Sequence, residues 1–214
     1  MLLTGLHAVL LVPYTSRSID SGLDASKYIL LNGSNGGPTQ VNIQNLSATQ
    51  TTKYGGDSAY LVIGSGNGQV SGSFNLLDFP FEKLNAVLGY RTDENGIAHH
   101  GNKTIAPYYA MYVLSHDKDG KAAWLGLPRV QFARGDVNPQ TNDDNTVTST
   151  DQLTWRGMNR ADGDIFMQGS EQMNTTEEQF QTALFGKSVL TSLDGAGTPV
   201  SAPTSGTTPA PAAG

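Results

Sequence analysis

The stretch Asp57-Ser-Ala-Tyr-Leu-Val-Ile-Gly64, Gly68-Gln-Val-Ser-Gly-Ser-Phe-Asn-Leu-Leu-Asp78, Phe79-Pro-Phe-Glu-Lys-Leu-Asn-Ala-Val-Leu-Gly89 decides the fold. Its first part holds the apolar, β-branched run Tyr60 to Ile63. In its second part Val70, Gly72, Phe74 and Leu76 alternate with Gln69, Ser71, Ser73 and Asn75, the period of a strand with one buried face. In the third, Asp78 stands where a cap would, Pro80 lies in the first turn and Gly89 marks the stop. Phe81, Leu84 and Leu88 share one helix face. A helix of about two turns is not stable alone, so that face must lie on a sheet. Two strands and a short helix, with no reactive cluster, predict a β-rich building block rather than a catalyst.

Toward the N-terminus, Val41 and Ile43 alternate with Gln40, Asn42 and Gln44, a half-buried strand. Asn32 to Thr39 is a polar loop rich in glycine. Residues 45–57 are polar and lack a period, which predicts a long excursion loop. The apolar opening, Met1 to Val12, is too short for a bilayer span of about 20 residues. No Lys or Arg precedes Arg17, and Pro13-Tyr14-Thr15 is a poor cleavage site. A buried edge or first strand is the reading preferred over a signal peptide.

Toward the C-terminus, residues 93–104 form a polar loop. Tyr108 to His116 and Lys121 to Arg134 make a hairpin around Asp117-Lys-Asp-Gly120, with Gly120 suited to the left-handed position. The first arm is apolar on both faces, which predicts cover on both sides. Residues 135–145 are again polar. Thr146 to Arg156 reads as a strand with one purely polar side: Thr146, Thr148, Thr150, Gln152, Thr154 and Arg156. Ala161 to Asp164 turns the chain into Ile165-Phe166-Met167. A closing helix over Thr175 to Phe185 has Thr175 and Glu178 at capping-box spacing and Gly186 as its stop. Residues 187–214 hold four of the ten prolines, and only Lys187 and Asp194 are charged. Such a segment cannot build a core and reads as a linker or tail. The predicted division is a domain over 1–186 and a tail over 187–214.

Charged residues make up 15% of the 214-residue chain, against about 25% in an ordinary soluble protein. Charge is depleted at the cores of interfaces, so the composition hints at assembly. The net charge is −6, and the 13 basic residues are scattered. That excludes a phosphate-gripping nucleic-acid binder, which needs clustered Lys and Arg. With no cysteine there is no disulfide framework and no thiolate metal site. Asp117-x-Asp119-Gly120 lacks the remaining ligands of a calcium loop and reads as a turn. His99 and His100 are adjacent and point apart on an extended chain. Gly64 to Gly68 lacks the spacing and lysine of a phosphate loop. No nucleophile elbow occurs. No cofactor, metal or catalytic residue is assigned.

The order of elements resembles the major tail tube proteins of long-tailed phages of Gram-positive bacteria. The resemblance rests on Gly68-x-Val-x-Gly-x-Phe-x-Leu-Leu-Asp78 running into a helix that ends Leu88-Gly89. It continues through the hairpin that begins Pro107-Tyr-Tyr-Ala-Met-Tyr-Val113 and covers residues 40–170. It implies a mainly β fold: a barrel-forming β-sandwich with a short flanking α-helix and a C-terminal helix. It further implies a virion protein, assembled in the host cytoplasm, whose hexameric rings stack into a tube. That tube would hold the tape-measure protein, meet tail completion proteins, and pass DNA without specific binding. No membrane partner is implied. Some family members carry a further domain after a Pro/Thr-rich linker, and a longer form of this chain remains open. A surface-binding or capsid decoration module is the rival reading.

Within the tube reading, the uncharged polar faces are the candidates for the lumen: Gln69, Ser71, Ser73, Asn75, Thr146, Thr148, Thr150 and Gln152. Outward faces of ordinary soluble sheets mix in Lys and Glu. Bulk water is the bland alternative for these faces. The long loop supplies the candidate ring-stacking residues Asn45, Thr49, Gln50, Lys53 and Asp57, since long structureless loops in compact domains tend to be functional.

Overall fold

The computed structural model of the chain describes residues 3–55, 57–64, 66–137 and 151–190. The apolar opening is β1 (Leu3–Pro13), followed by β2 (Ile29–Asn32) and β3 (Pro38–Gln44). β4 (Thr51–Gly55) and β5 (Ser58–Ile63) pair as a separate ribbon. Next come β6 (Ser71–Leu76) and α1 (Phe81–Leu88). The polar loop expected at 93–104 contains part of a minimal hairpin, β7 (Arg91–Thr92) with β8 (Ala98–His99). β9 (Tyr108–Asp117) and β10 (Ala122–Arg134) form the expected hairpin, with Gly120 at φ 77°. β11 (Asp151–Gly157), β12 (Met167–Ser170) and α2 (Glu177–Phe185) complete the chain.

One antiparallel sheet runs in the order β2-β1-β9-β10-β11-β6-β3, with β12 pairing the first half of β10. β1 is interior to it: Val9 faces Leu31 of β2 on one side and Val113 of β9 on the other. Thirteen residues make β10 the longest strand among the described residues. Its register with β9 breaks between Leu127 and Val130, around Pro128 and Arg129. Proline has no N–H to give to a ladder, and a bulge of this kind bends a strand. Before the break β10 pairs with β12, and after it with β11. The sheet therefore curls into two layers, and β3 comes back against β1.

The inner core lies between the layers. Val9, Leu11, Phe74, Met111, Phe132 and Trp155 meet there, all buried. A second core covers the outer side of β1, β9 and β10, where Leu10, Tyr112 and Trp124 pack under Phe180 and Leu184 of α2. This explains why β9 reads apolar on both faces: Met111 and Val113 enter one core, Tyr112 and Leu114 the other. Arg129 is buried at the bulge without a carboxylate. Its guanidinium donates to the carbonyls of Arg17, Ser18 and Ile19, and lies 4.9 Å and 4.3 Å from the rings of Tyr14 and Tyr108. Cation–π contact of this kind compensates a desolvated guanidinium, and the three carbonyls tie the loop after β1 to the bulge.

Both helices form where the sequence puts them, with shifted details. On α1 the buried face is Leu84, Val87 and Leu88, while Phe81 is 58% exposed. Phe79, just ahead of the helix, is buried in its place. Pro80 holds the cap position with no side-chain bond, so Asp78 is not the cap. On α2 the capping box belongs to Thr176 and Gln179 rather than Thr175 and Glu178. The Gln179 N–H donates to Thr176 Oγ1 at 3.2 Å, and Thr176 N–H donates back to Gln179 Oε1 at 2.9 Å. Gly89 and Gly186 end the helices at φ 68° and 77°. Packing continues past Gly186. Gln181 is wholly buried, and its Oε1 accepts from the N–H groups of Val189 at 2.8 Å and Leu190 at 3.0 Å. Val189 and Leu190 belong to the outer core, so packed chain reaches beyond the boundary expected at Gly186. Residues 191–214 of the expected tail lie outside the described residues.

Candidate functional site

The polar strand faces singled out in the sequence come together on one surface. β3, β6, β11 and the second half of β10 are neighbours, and their registers align the outward side chains in rows. One row is Gln44, Ser71, Arg156 and Gln131; the next is Asn42, Ser73, Thr154 and Ala133; a third is Gln40, Asn75 and Gln152. The intervening residues Val41, Ile43, Phe74, Leu153, Trp155 and Phe132 turn into the inner core. Directly opposed side chains in such rows stand about 5 Å apart. Within the third row Asn75 Nδ2 donates to Gln40 Oε1 at 3.1 Å, and Asn45, just past β3, donates from Nδ2 to Ser71 Oγ at 3.1 Å.

Among the described residues no helix covers this face, because α2 lies on the opposite layer. Antiparallel sheets commonly leave one face to solvent, yet such a face normally carries mixed charge. Here the described rows hold amides, hydroxyls and one alanine, with Arg156 as the sole ionisable group. Two grooves cross the surface, of about 520 Å3 and 610 Å3, and share Ser71, Gln131 and Arg156 in their walls.

Of the expected lumen residues, Ser71, Ser73, Asn75 and Gln152 stand on this face. Gln69 precedes β6 and borders the second groove. Thr146, Thr148 and Thr150 lie outside the described residues. Sequence reasoning misses Gln131 because its neighbours make that arm read as apolar. Its only signal is a lone polar side chain between Val130 and Phe132.

The stacking candidates separate into two places. Asn45 sits in a left-handed turn at φ 58° beside the polar face. Thr49 and Gln50 remain in irregular chain, whereas Lys53 is in β4 and Asp57 is in the turn of the ribbon. The structureless loop expected over 45–57 is thus partly a strand, because β4 finds a partner in β5. The apolar run Tyr60 to Ile63 is the strand β5 of this ribbon, as its β-branched pattern predicts. Tyr54, Tyr60 and Leu61 are 72%, 83% and 51% exposed. An isolated two-stranded ribbon is marginal in water.

Elsewhere the groups behave as local structure. Asp117 Oδ1 accepts from the N–H of Asp119 at 2.8 Å and of Lys121 at 3.0 Å, so the Asp-x-Asp-Gly stretch is a turn. His99 pairs with Asp93 at 3.1 Å, while His100 packs on Tyr90. Among the described residues no three His, Asp or Glu side chains gather as a metal site would need. None of the described helices is long and apolar enough to cross a membrane.

The fold is a two-layer β-structure with an uncovered polar face and a ribbon that exposes Tyr54, Tyr60 and Leu61. A family model for phage tail tube proteins matches residues 16–197, and the chain belongs to that family. The match is wider than the 40–170 stretch that carries the sequence resemblance. No curated protein sequence matches the chain. Membership makes the chain a structural, non-enzymatic component of the virion tail that self-assembles into the tube.

Proposed function

We propose that the chain forms hexameric rings that stack into the tail tube of a long-tailed phage of a Gram-positive host, and that the outer face of β10, β11, β6 and β3 lines the conduit for DNA. The observation that carries this reading is the three-row polar face, uncharged but for Arg156, uncovered and opposite the helix-covered layer. Joining these four strands from copy to copy would close the sheet edge at β3 into a barrel, which removes an exposed edge. A lining of amides and hydroxyls hydrates a passing polyanion without a cluster of phosphate contacts, and the chain's net −6 adds mild repulsion. Ring number, host and the tape-measure partner rest on the sequence resemblance. The β4–β5 ribbon and the turn at 45–50 are the proposed ring-to-ring contacts, and the Pro/Thr/Ala-rich C-terminal segment the proposed linker.

The test is negative-stain microscopy of the purified chain, with S73C as a probe. The chain has no native cysteine, so labelling reports that position alone. Tubes in which a small maleimide reaches the S73C thiol and a bulky one does not are expected. A monomer in solution scattering would favour the decoration-module reading. Ready labelling of assembled tubes by the bulky reagent would put the face outside.

A further inference from the structure

We infer that Arg156 is a phosphate-contacting residue of the polar face, one guanidinium per subunit, placed to touch DNA in the assembled tube; this rests on the proposed reading of that face as the conduit wall. The chain has 19 acidic and 13 basic residues, so an exposed arginine has more carboxylates than rivals to pair with. Arg156 nevertheless has no carboxylate across from it. Its cross-strand neighbours are Ser71 and Gln131. Its guanidinium takes part in no hydrogen bond or ion pair among the described residues.

The neighbours favour an anion at this point. Ser71 Oγ accepts from Asn45 Nδ2, which leaves its own hydrogen to donate outward. The Gln131 amide nitrogen is held by the Ala106 carbonyl at 2.7 Å, which fixes that side chain beside the guanidinium. Arg156 also stands where the two grooves meet, so an extended ligand following either one passes it. A planar guanidinium offers paired donors that match two oxygens of a phosphate or carboxylate.

Phosphate is the better match of the two. Protein partners anchor through large buried apolar and aromatic side chains, and the described rows around Arg156 expose no apolar side chain larger than Ala133. Nucleic acid needs only donors and charge along its backbone. A single contact per copy is weak, and neutral rows separate it from the next. The wall would therefore guide DNA without holding it.

The experiment uses tubes assembled from the full chain, carrying R156Q, R156K or the native residue, and a short fluorescent single-stranded DNA as probe. Wild-type tubes are expected to retain the probe with an affinity that falls with salt. R156Q tubes should retain it severalfold less, with the log–log salt slope reduced by about 0.7 for each phosphate that is no longer neutralised. R156K tubes should keep the slope and bind less tightly, since the charge stays and the paired donors do not. If R156Q does not assemble, the R156K comparison carries the test. Equal retention by wild-type and R156Q tubes, with the S73C thiol still shielded from bulky reagent, overturns the arginine assignment and leaves the conduit reading standing. Retention of a polyglutamate probe in preference to DNA overturns the phosphate assignment. Bulky labelling of S73C in intact tubes overturns the conduit reading and the inference with it.

Discussion

At the scale of single residues, the inner core is fitted with little slack. Gly72 occupies the core side of β6, where a Cβ would come within 1.8 Å of the Asn42 carbonyl oxygen and 2.5 Å of the Trp155 ring. Both are fixed by sheet pairing and burial, so Gly72→Ala should cost about 1–3 kcal/mol, read as a lowered urea midpoint. Tyr109 makes a different prediction. Burial pushes its hydroxyl from 10.0 up to about 12, because a phenolate is disfavoured inside the core. The neutral form is the one the fold stabilises, so its contribution is complete below pH 10 and lost as pH rises from 10 toward 12. The loss amounts to about 2–3 kcal/mol. Alkaline unfolding of wild type should steepen across that window, and Tyr109→Phe should flatten it. The residue scale also shows where sequence reading stops. The glycine in the alternating Val70–Leu76 pattern is visible as a core-side position. That it makes room for a distant indole is not, since only the pairing of Trp155 with Gly72 brings the two together.

At the scale of elements, local chemistry is legible and tertiary choice is not. The β9–β10 hairpin can be read because Asp117 to Gly120 is a turn with its own hydrogen bonds. Gly89 and Gly186 can be read as stops for the same local reason. Thr175 and Thr176 both sit three residues before a Glu or Gln, and packing of Phe180 and Leu184 selects the second register. Phe81 satisfies the helical period as well as Val87 does. Eight residues give too few turns to fix the phase, and packing against the inner core decides it. The packing of Val189 and Leu190 escapes a sequence reading because a three-residue strap, Ser188 to Leu190, is held from afar by Gln181. Truncation after Leu190 should leave stability intact by thermal melting. Truncation after Gly186 should cost about 3 kcal/mol or more, since it exposes the surface that Val189 and Leu190 cover and leaves the Gln181 oxygen without its donors. Equal melting temperatures for the two would show that the strap contributes nothing.

At the scale of the whole molecule, folding and assembly should be separable by mutation. Tyr54, Tyr60 and Leu61 project from a ribbon outside the main sheet. Changing all three to serine should alter monomer stability by no more than about 0.5 kcal/mol, as surface changes do, and abolish tubes under the microscope. Normal tubes from this variant would remove the ribbon from the assembly contacts. The polar face is half legible: each strand's neutral side can be read from alternation, but their meeting on one surface requires the strand order. The bulged β10 has a mechanical consequence. Its first half carries Trp124 under α2, and its second carries Gln131 on the polar wall. The two skins of the subunit are therefore one continuous filament of peptide bonds at this seam. With the polar face on the inside, as proposed, shear in a flexing tube would load covalent backbone there, not only a greasy contact that could slip. A wall built from such subunits bends as a single laminate.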